Sequence, residues 1–160
     1  DSMTEAVLRR HVALFFYFAL QDEKLATQAT VKALQKIRKR AEATEQEAKG
    51  LRTITDLGQE AILVGVTQKI WNHFKSSIRN TQSAVTHEGG WLVPNGVQLG
   101  PWREFRKESA EDEFLILLWS KVLKLSDQGI AKGLNVSTGT VRYRVGSALR
   151  VLGRMVRAND

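Results

Sequence analysis

Apolar residues recur at helical spacing along most of this chain, and the helices they predict come with their own start signals. Thr4 can cap a helix running to about Leu20, through an apolar stretch from Val12 to Leu20 that Tyr17 interrupts. Asp22 can cap a second, from Glu23 to roughly Lys49, with no Gly or Pro between. On it Ala26, Val31, Leu34, Ile37 and Ala41 are assigned to the buried side, and Lys32, Lys36 and Lys39 to the opposite one. Gly50 is a stop signal, after which Thr53 or Thr55 caps a third helix from about Asp56 to Arg79. Leu57, Ala61, Val64, Trp71, Phe74 and Ile78 give it a broad apolar face. Connections of a few residues force successive helices to reverse direction, which predicts an antiparallel three-helix module.

The pattern lapses between Thr81 and Glu108, a stretch that holds Pro94, Pro101, Gly89, Gly90, Gly96 and Gly100. It reads as a linker. Within it, Pro94-Asn95-Gly96 is a turn signal between Trp91-Leu92-Val93 and Val97-Gln98-Leu99, which predicts a small hairpin. Trp91 and Trp102 are expected to dock on neighbouring helices, because large aromatic surface left in water forgoes burial energy. Beyond the linker, Ser109-Ala110-Glu111-Asp112 resembles a capping box with Asp in place of Glu. Phe114, Leu115, Leu117, Leu118, Val122 and Leu123 follow as a buried face. Ser126 then caps a short helix from Asp127 to Gly133, Asn135 ends it in the left-handed conformation, and Ser137 caps another from Thr138 to about Val156. Two such helices in succession form a helix-turn-helix. The expected fold class is therefore all-α, with two small helical domains at 1–80 and 109–160 joined by a linker at 81–108 that contains Trp, Gly and Pro.

Charge adds a candidate function. The chain has 24 Lys and Arg against 17 Asp and Glu, a net charge of +7, so a polyanionic partner is the first expectation. Arg142, Arg144, Arg150, Arg154 and Arg157 fall between Ser137 and the end with no acid among them until Asp160. With Val141 as reference, Val145, Ala148, Leu149 and Leu152 lie within about 80° of it and would face the core. Gly139, Tyr143, Gly146, Ser147 and Arg150 lie on the far side, with Thr140 and Arg142 at its edges. Small residues there let the backbone approach bases, arginines reach guanine edges or phosphates, and Ser137 and Thr138 sit where free amides favour a phosphate oxygen.

The run from Leu125 to Arg144 (Leu-Ser, then Ile-Ala, Leu, Val-Ser and Gly-Thr-Val followed by basic residues) resembles region 4 of bacterial sigma-70 family factors. The likeness covers about Ser109 to Leu152; regulators of the LuxR type share similar patterns. By that resemblance the domain reads promoter duplex DNA, with contacts expected from Ser137, Thr138, Thr140, Arg142, Tyr143 and Arg144; the outward face of the helix adds Gly139, Ser147 and Arg150 to the expected contacts. The first half is similar, in the order of Leu8-Arg9-Arg10-His11, Asp22 to Lys36, and Leu63-Val64-Gly65-Val66 leading into Trp71-Asn72-His73-Phe74-Lys75, to region 2 of the extracytoplasmic-function type. That implies core RNA polymerase as a partner and single-stranded DNA contacts at Trp71, His73 and Lys75. Trp71 and Phe74 also lie near the apolar stripe of the third helix, where burial is the commoner fate. Leu25 and Val31 stand where region 2 usually carries an acidic and an aromatic residue. Two alternatives follow: a DNA-binding regulator without polymerase contact, dimeric through Phe15, Phe16 and Phe18, or a sigma mimic that binds an anti-sigma factor or another regulatory protein.

Other chemistries find no pattern. Without cysteine there is no disulfide framework or thiolate site, which suits a cytoplasmic setting. No phosphate loop, nucleophile elbow or His-Glu-x-x-His is present, and His11, His73 and His87 are not at ligand spacing, so no enzyme activity, metal or cofactor is expected. Val12 to Leu20 is shorter than the roughly 20 residues a membrane helix needs, and Asp1 and Glu5 stand where a secretory leader carries lysines, so neither membrane nor secretion is expected. Glu111, Asp112 and Glu113 are accounted for by the dipole of the helix they begin.

Overall fold

A computed structural model describes residues 5–48, 56–78 and 100–158 of the chain, and every regular element among them is helical. α1 (Glu5–Leu20), α2 (Glu23–Ala48) and α3 (Asp56–Phe74, continued by a 3-10 turn at Lys75–Ser77) form the first half. α4 (Gly100–Glu108), α5 (Glu111–Leu117, continued by a π-helical turn at Leu118–Val122), α6 (Asp127–Leu134) and α7 (Thr138–Ala158) form the second. The expected caps at Thr4, Thr53 or Thr55, the stop at Gly50, Trp91 and the hairpin at 94–96 lie outside the described residues.

Local chemistry sets several boundaries where the side chains predict them. Asp22 accepts the Leu25 amide at 3.0 Å to start α2, and Gln21 before it turns the chain with φ 55°. α1 and α2 are tied by the Glu5–Arg38 ion pair. On the other flank of α2, Lys32 lies over the Phe74 ring at 5.3 Å, Lys36 neighbours Lys69, and Arg40 lies beside Gly65. Residue numbers that fall on one helix as they rise on the other are the mark of antiparallel packing.

The buried stripe of α2 is Ala26, Ala29, Thr30, Ala33, Leu34 and Ile37. Val31, expected among them, is 52% exposed, because five positions on from Ala26 it has rotated about 140° at 100° per residue. Phe15, Phe16 and Phe18, a candidate dimer surface in the sequence reading, are core residues and offer a partner nothing.

α4 occupies part of the expected linker. Pro101 stands in its first turn, where a missing amide costs no intrahelical bond, so the residue that suggested a break serves as a start. Phe105 is fully buried against Phe114, and Trp102 docks on Phe18 of α1 at 5.1 Å between ring centroids, as expected of that tryptophan. The cap of α5 is displaced by one residue from the expected box. Ser109 donates to the Phe105 carbonyl at the end of α4, Ala110 takes the cap position, and Glu113 instead of Asp112 reaches back to the Ala110 amide at 2.8 Å.

The two halves share one hydrophobic core. The Trp119 ring stacks on Phe15 at 5.6 Å and 10°, and its indole N–H donates to Thr67 Oγ1 at 3.0 Å. Thr67 donates in turn to the Leu63 carbonyl at 2.7 Å, so this fully buried polar group is satisfied. Glu60 of α3 meets the start of α6, accepting the Ser126 amide at 3.1 Å and its hydroxyl. A carboxylate there also complements the α6 dipole. Gly129 and Gly133 face α3 at a distance that admits no side chain: a Cβ on Gly129 would stand 2.6 Å from that of Glu60, and one on Gly133 2.6 Å from that of Val64. Their low helix propensity is thus offset by close helix packing.

Candidate nucleic-acid interface

The helix-turn-helix is assembled by short-range bonds. Ser126 Oγ accepts the Gly129 amide at 3.0 Å, which starts α6. Asn135 ends it at φ 59° and ψ 48°, and the Val136 amide returns to the Ala131 carbonyl at 3.0 Å. Ser137 Oγ then accepts the Thr140 amide at 3.0 Å and starts α7. Each of these three residues does what the sequence predicts of it.

α7 packs on α4, α5 and α6 through Val141, Val145, Ala148 and Val151. Its inward arc is shifted from the expected one. Leu149, about 80° to one side of Val141, is 41% exposed, whereas Val151, about 80° to the other, is 7% exposed. The cause is α5, which covers the Val151 side.

The opposite face is open. Ser137, Gly139, Arg142, Tyr143 and Arg150 are exposed, Tyr143 to 71%, while Thr138, Thr140 and Gly146 are half-buried. Arg142 Nε lies 3.4 Å from Asp127 Oδ2, a surface pair worth about 0–1 kcal/mol that a phosphate can displace. Arg144 and Ser147 are turned toward α5. Arg144 Nε stands 3.5 Å from Asp112 Oδ2, and the Ser147 hydroxyl donates to Glu113. That hydroxyl, the Ala110 amide and, more weakly, the charges of Arg154 and Arg150 hold the Glu113 carboxyl below its ordinary pKa, against a smaller upward push from burial. The acidic start of α5 therefore organises its surroundings, and Glu111 adds a 3.2 Å ion pair to Lys75. Sequence reasoning missed these partners because they join residues more than 30 positions apart.

The residues expected to meet single-stranded DNA are split. Trp71 is 4% exposed and packs on Phe114, so its ring belongs to the core and no base can stack on it as it stands. His73 is exposed beside Phe74, and Lys75 is exposed but paired with Glu111.

No family model matches this chain, and no curated protein or solved structure matches it either. The functional reading therefore rests on geometry and charge. No group of three or more His, Asp or Glu side chains among the described residues could hold a metal ion, and no described helix is long and apolar enough to cross a membrane.

Proposed function

We propose that this chain is a sequence-specific DNA-binding transcription regulator that reads duplex DNA with α7. The observation that supports it is the two-sidedness of that helix, with Val141, Val145, Ala148 and Val151 buried and Arg142, Tyr143 and Arg150 exposed beside a capped N-terminus. A helix about 10–12 Å across fits the major groove. Arg142 and Arg150 are the base- or phosphate-contacting cations, Ser137 and Thr138 offer amides to a phosphate, and Gly139 leaves room for close approach. Arg144 and Ser147 take part after leaving Asp112 and Glu113, or position α7 from where they are.

In its narrower form the proposal is a diverged sigma-like initiation factor acting in the cytoplasm with core RNA polymerase. The alternatives are a regulator without polymerase and a mimic that captures an anti-sigma factor. Selection of duplex sequences from a random pool, with and without core polymerase, separates them. Arg142→Gln with Arg150→Gln, both exposed and outside the core, should abolish enrichment of any sequence. Unchanged enrichment by that variant would remove α7 from the role of reader.

A further inference from the structure

A second basic surface lies away from α7. Lys32, Lys36 and Arg40 recur every fourth residue along α2, which puts them on one flank of the helix over about 12 Å. Lys69 of α3 faces them. The Lys69 ammonium beside Lys36, followed by desolvation and Arg40, draws the Lys36 pKa below the ordinary lysine value, the direction expected of cations crowded together.

Four cations elsewhere on the surface are matched with acids: Arg38 with Glu5, Lys75 with Glu111, Arg142 with Asp127, and Arg144 with Asp112. Among the described residues no such ion pair engages Lys32, Lys36 or Lys69. The outer border of the row is Gln28, Gln35 and Lys39, all exposed and polar, which suits a phosphate backbone better than a lipid surface. The row also leads to the helix-turn-helix. Arg40 Nη1 and the Gly133 carbonyl of α6 each lie 3.7 Å from the point where a Cβ on Gly65 would sit, and the last turn of α6 passes through Asn135 into Ser137 and α7.

We propose that Lys32, Lys36, Arg40 and Lys69 form a second phosphate-binding surface, which holds the backbone of duplex DNA flanking the segment that α7 reads. This rests on the α7 reading. A row of about 12 Å can meet about two to three successive phosphates of one strand, because the strand winds around the axis and its phosphates stand farther apart than their axial rise of about 3.4 Å. Occupation by phosphate relieves the repulsion within the row.

The test measures binding to a random-sequence duplex of roughly 30 base pairs, about three helical turns, across a salt series. It compares wild type, the row variant (Lys32→Gln, Lys36→Gln, Lys69→Gln) and the α7 variant (Arg142→Gln, Arg150→Gln). At about 0.9 per phosphate, the row variant's slope of log affinity against log salt should be shallower by two to three units. Its low-salt affinity should fall, while selection from a random pool returns the same sequences as wild type. Its melting temperature should equal or exceed that of wild type; if it melts lower, Lys69→Gln alone carries the test with a slope change of about one. A row variant with wild-type affinity and slope overturns the proposal and leaves α7 untouched. An α7 variant that binds and selects like wild type, beside an impaired row variant, overturns the α7 reading and supports the row. Absence of salt-dependent duplex binding by wild type overturns both.

Discussion

Replacing Gly133 by alanine tests the closeness of α6 to α3. The new Cβ would stand 2.6 Å from Val64 Cβ and 2.8 Å from the Ala61 carbonyl oxygen. Carbon atoms rest at about 3.5–4.0 Å, so the two helices must part by about 1 Å locally. Intrinsic propensity favours the substitution by about 1 kcal/mol, whereas overpacking a close-packed interface costs about 1–3 kcal/mol. Parting the helices also strains the Glu60–Ser126 bonds at the other end of α6. The net expectation is a loss of about 1–2 kcal/mol, which in a chain of this length lowers Tm by roughly 2–8 °C. Gly146→Ala is the control. A Cβ there meets only the flexible end of Arg150 at 3.7 Å, so propensity alone operates and stability should rise by up to about 1 kcal/mol. Thermal and urea unfolding followed by far-UV circular dichroism reads both. The same substitution should shift the midpoint in opposite directions at two sites 13 residues apart in sequence. If Gly133→Ala proves as stabilising as Gly146→Ala, the two helices do not meet at backbone distance.

Thr67→Val keeps the shape of a buried side chain but strands the Trp119 N–H, at a cost of about 1–3 kcal/mol. Adding Trp119→Phe removes the donor too, so the double variant should lose less than the sum of the singles; additive losses in denaturant titrations would deny the bond. Glu113 holds its proton less tightly when folded than when unfolded, so it stabilises the protein above the ordinary glutamate range. That stability is lost as pH falls through this range toward the lowered folded value. Glu113→Gln should therefore flatten the acid limb of a Tm–pH curve, and limbs parallel to wild type would contradict the Ser147 and Ala110 contacts.

Bonds that close within about four residues were mostly legible in the sequence alone, the α5 box, displaced by one residue, being the exception. Asp22, Ser126, Asn135 and Ser137 need only their neighbours to cap or turn the chain, so they fall where their residue types say. The helices follow from the period of their apolar residues, and so does the inner face of α7, with Arg142, Tyr143 and Arg150 left outward. Tertiary packing decided what lay at the margins of that period. Leu149 is exposed and Val151 is buried because the width of an apolar face depends on which helices cover it. Composition hid α4, since Pro101 breaks a helix interior yet is tolerated in a first turn. The glycines of α6 read as a weakness until α3 came against them. Ser147 lies on the outward face of a helical wheel and Arg144 is expected at the surface only from the family resemblance, but α5 brings acids to meet both. The α2 row becomes a cluster only when antiparallel packing sets Lys69 beside Lys36. Short-range hydrogen bonds and periodicity are written in the order of residues, whereas contacts between distant segments depend on how whole helices dock, and no local window contains that.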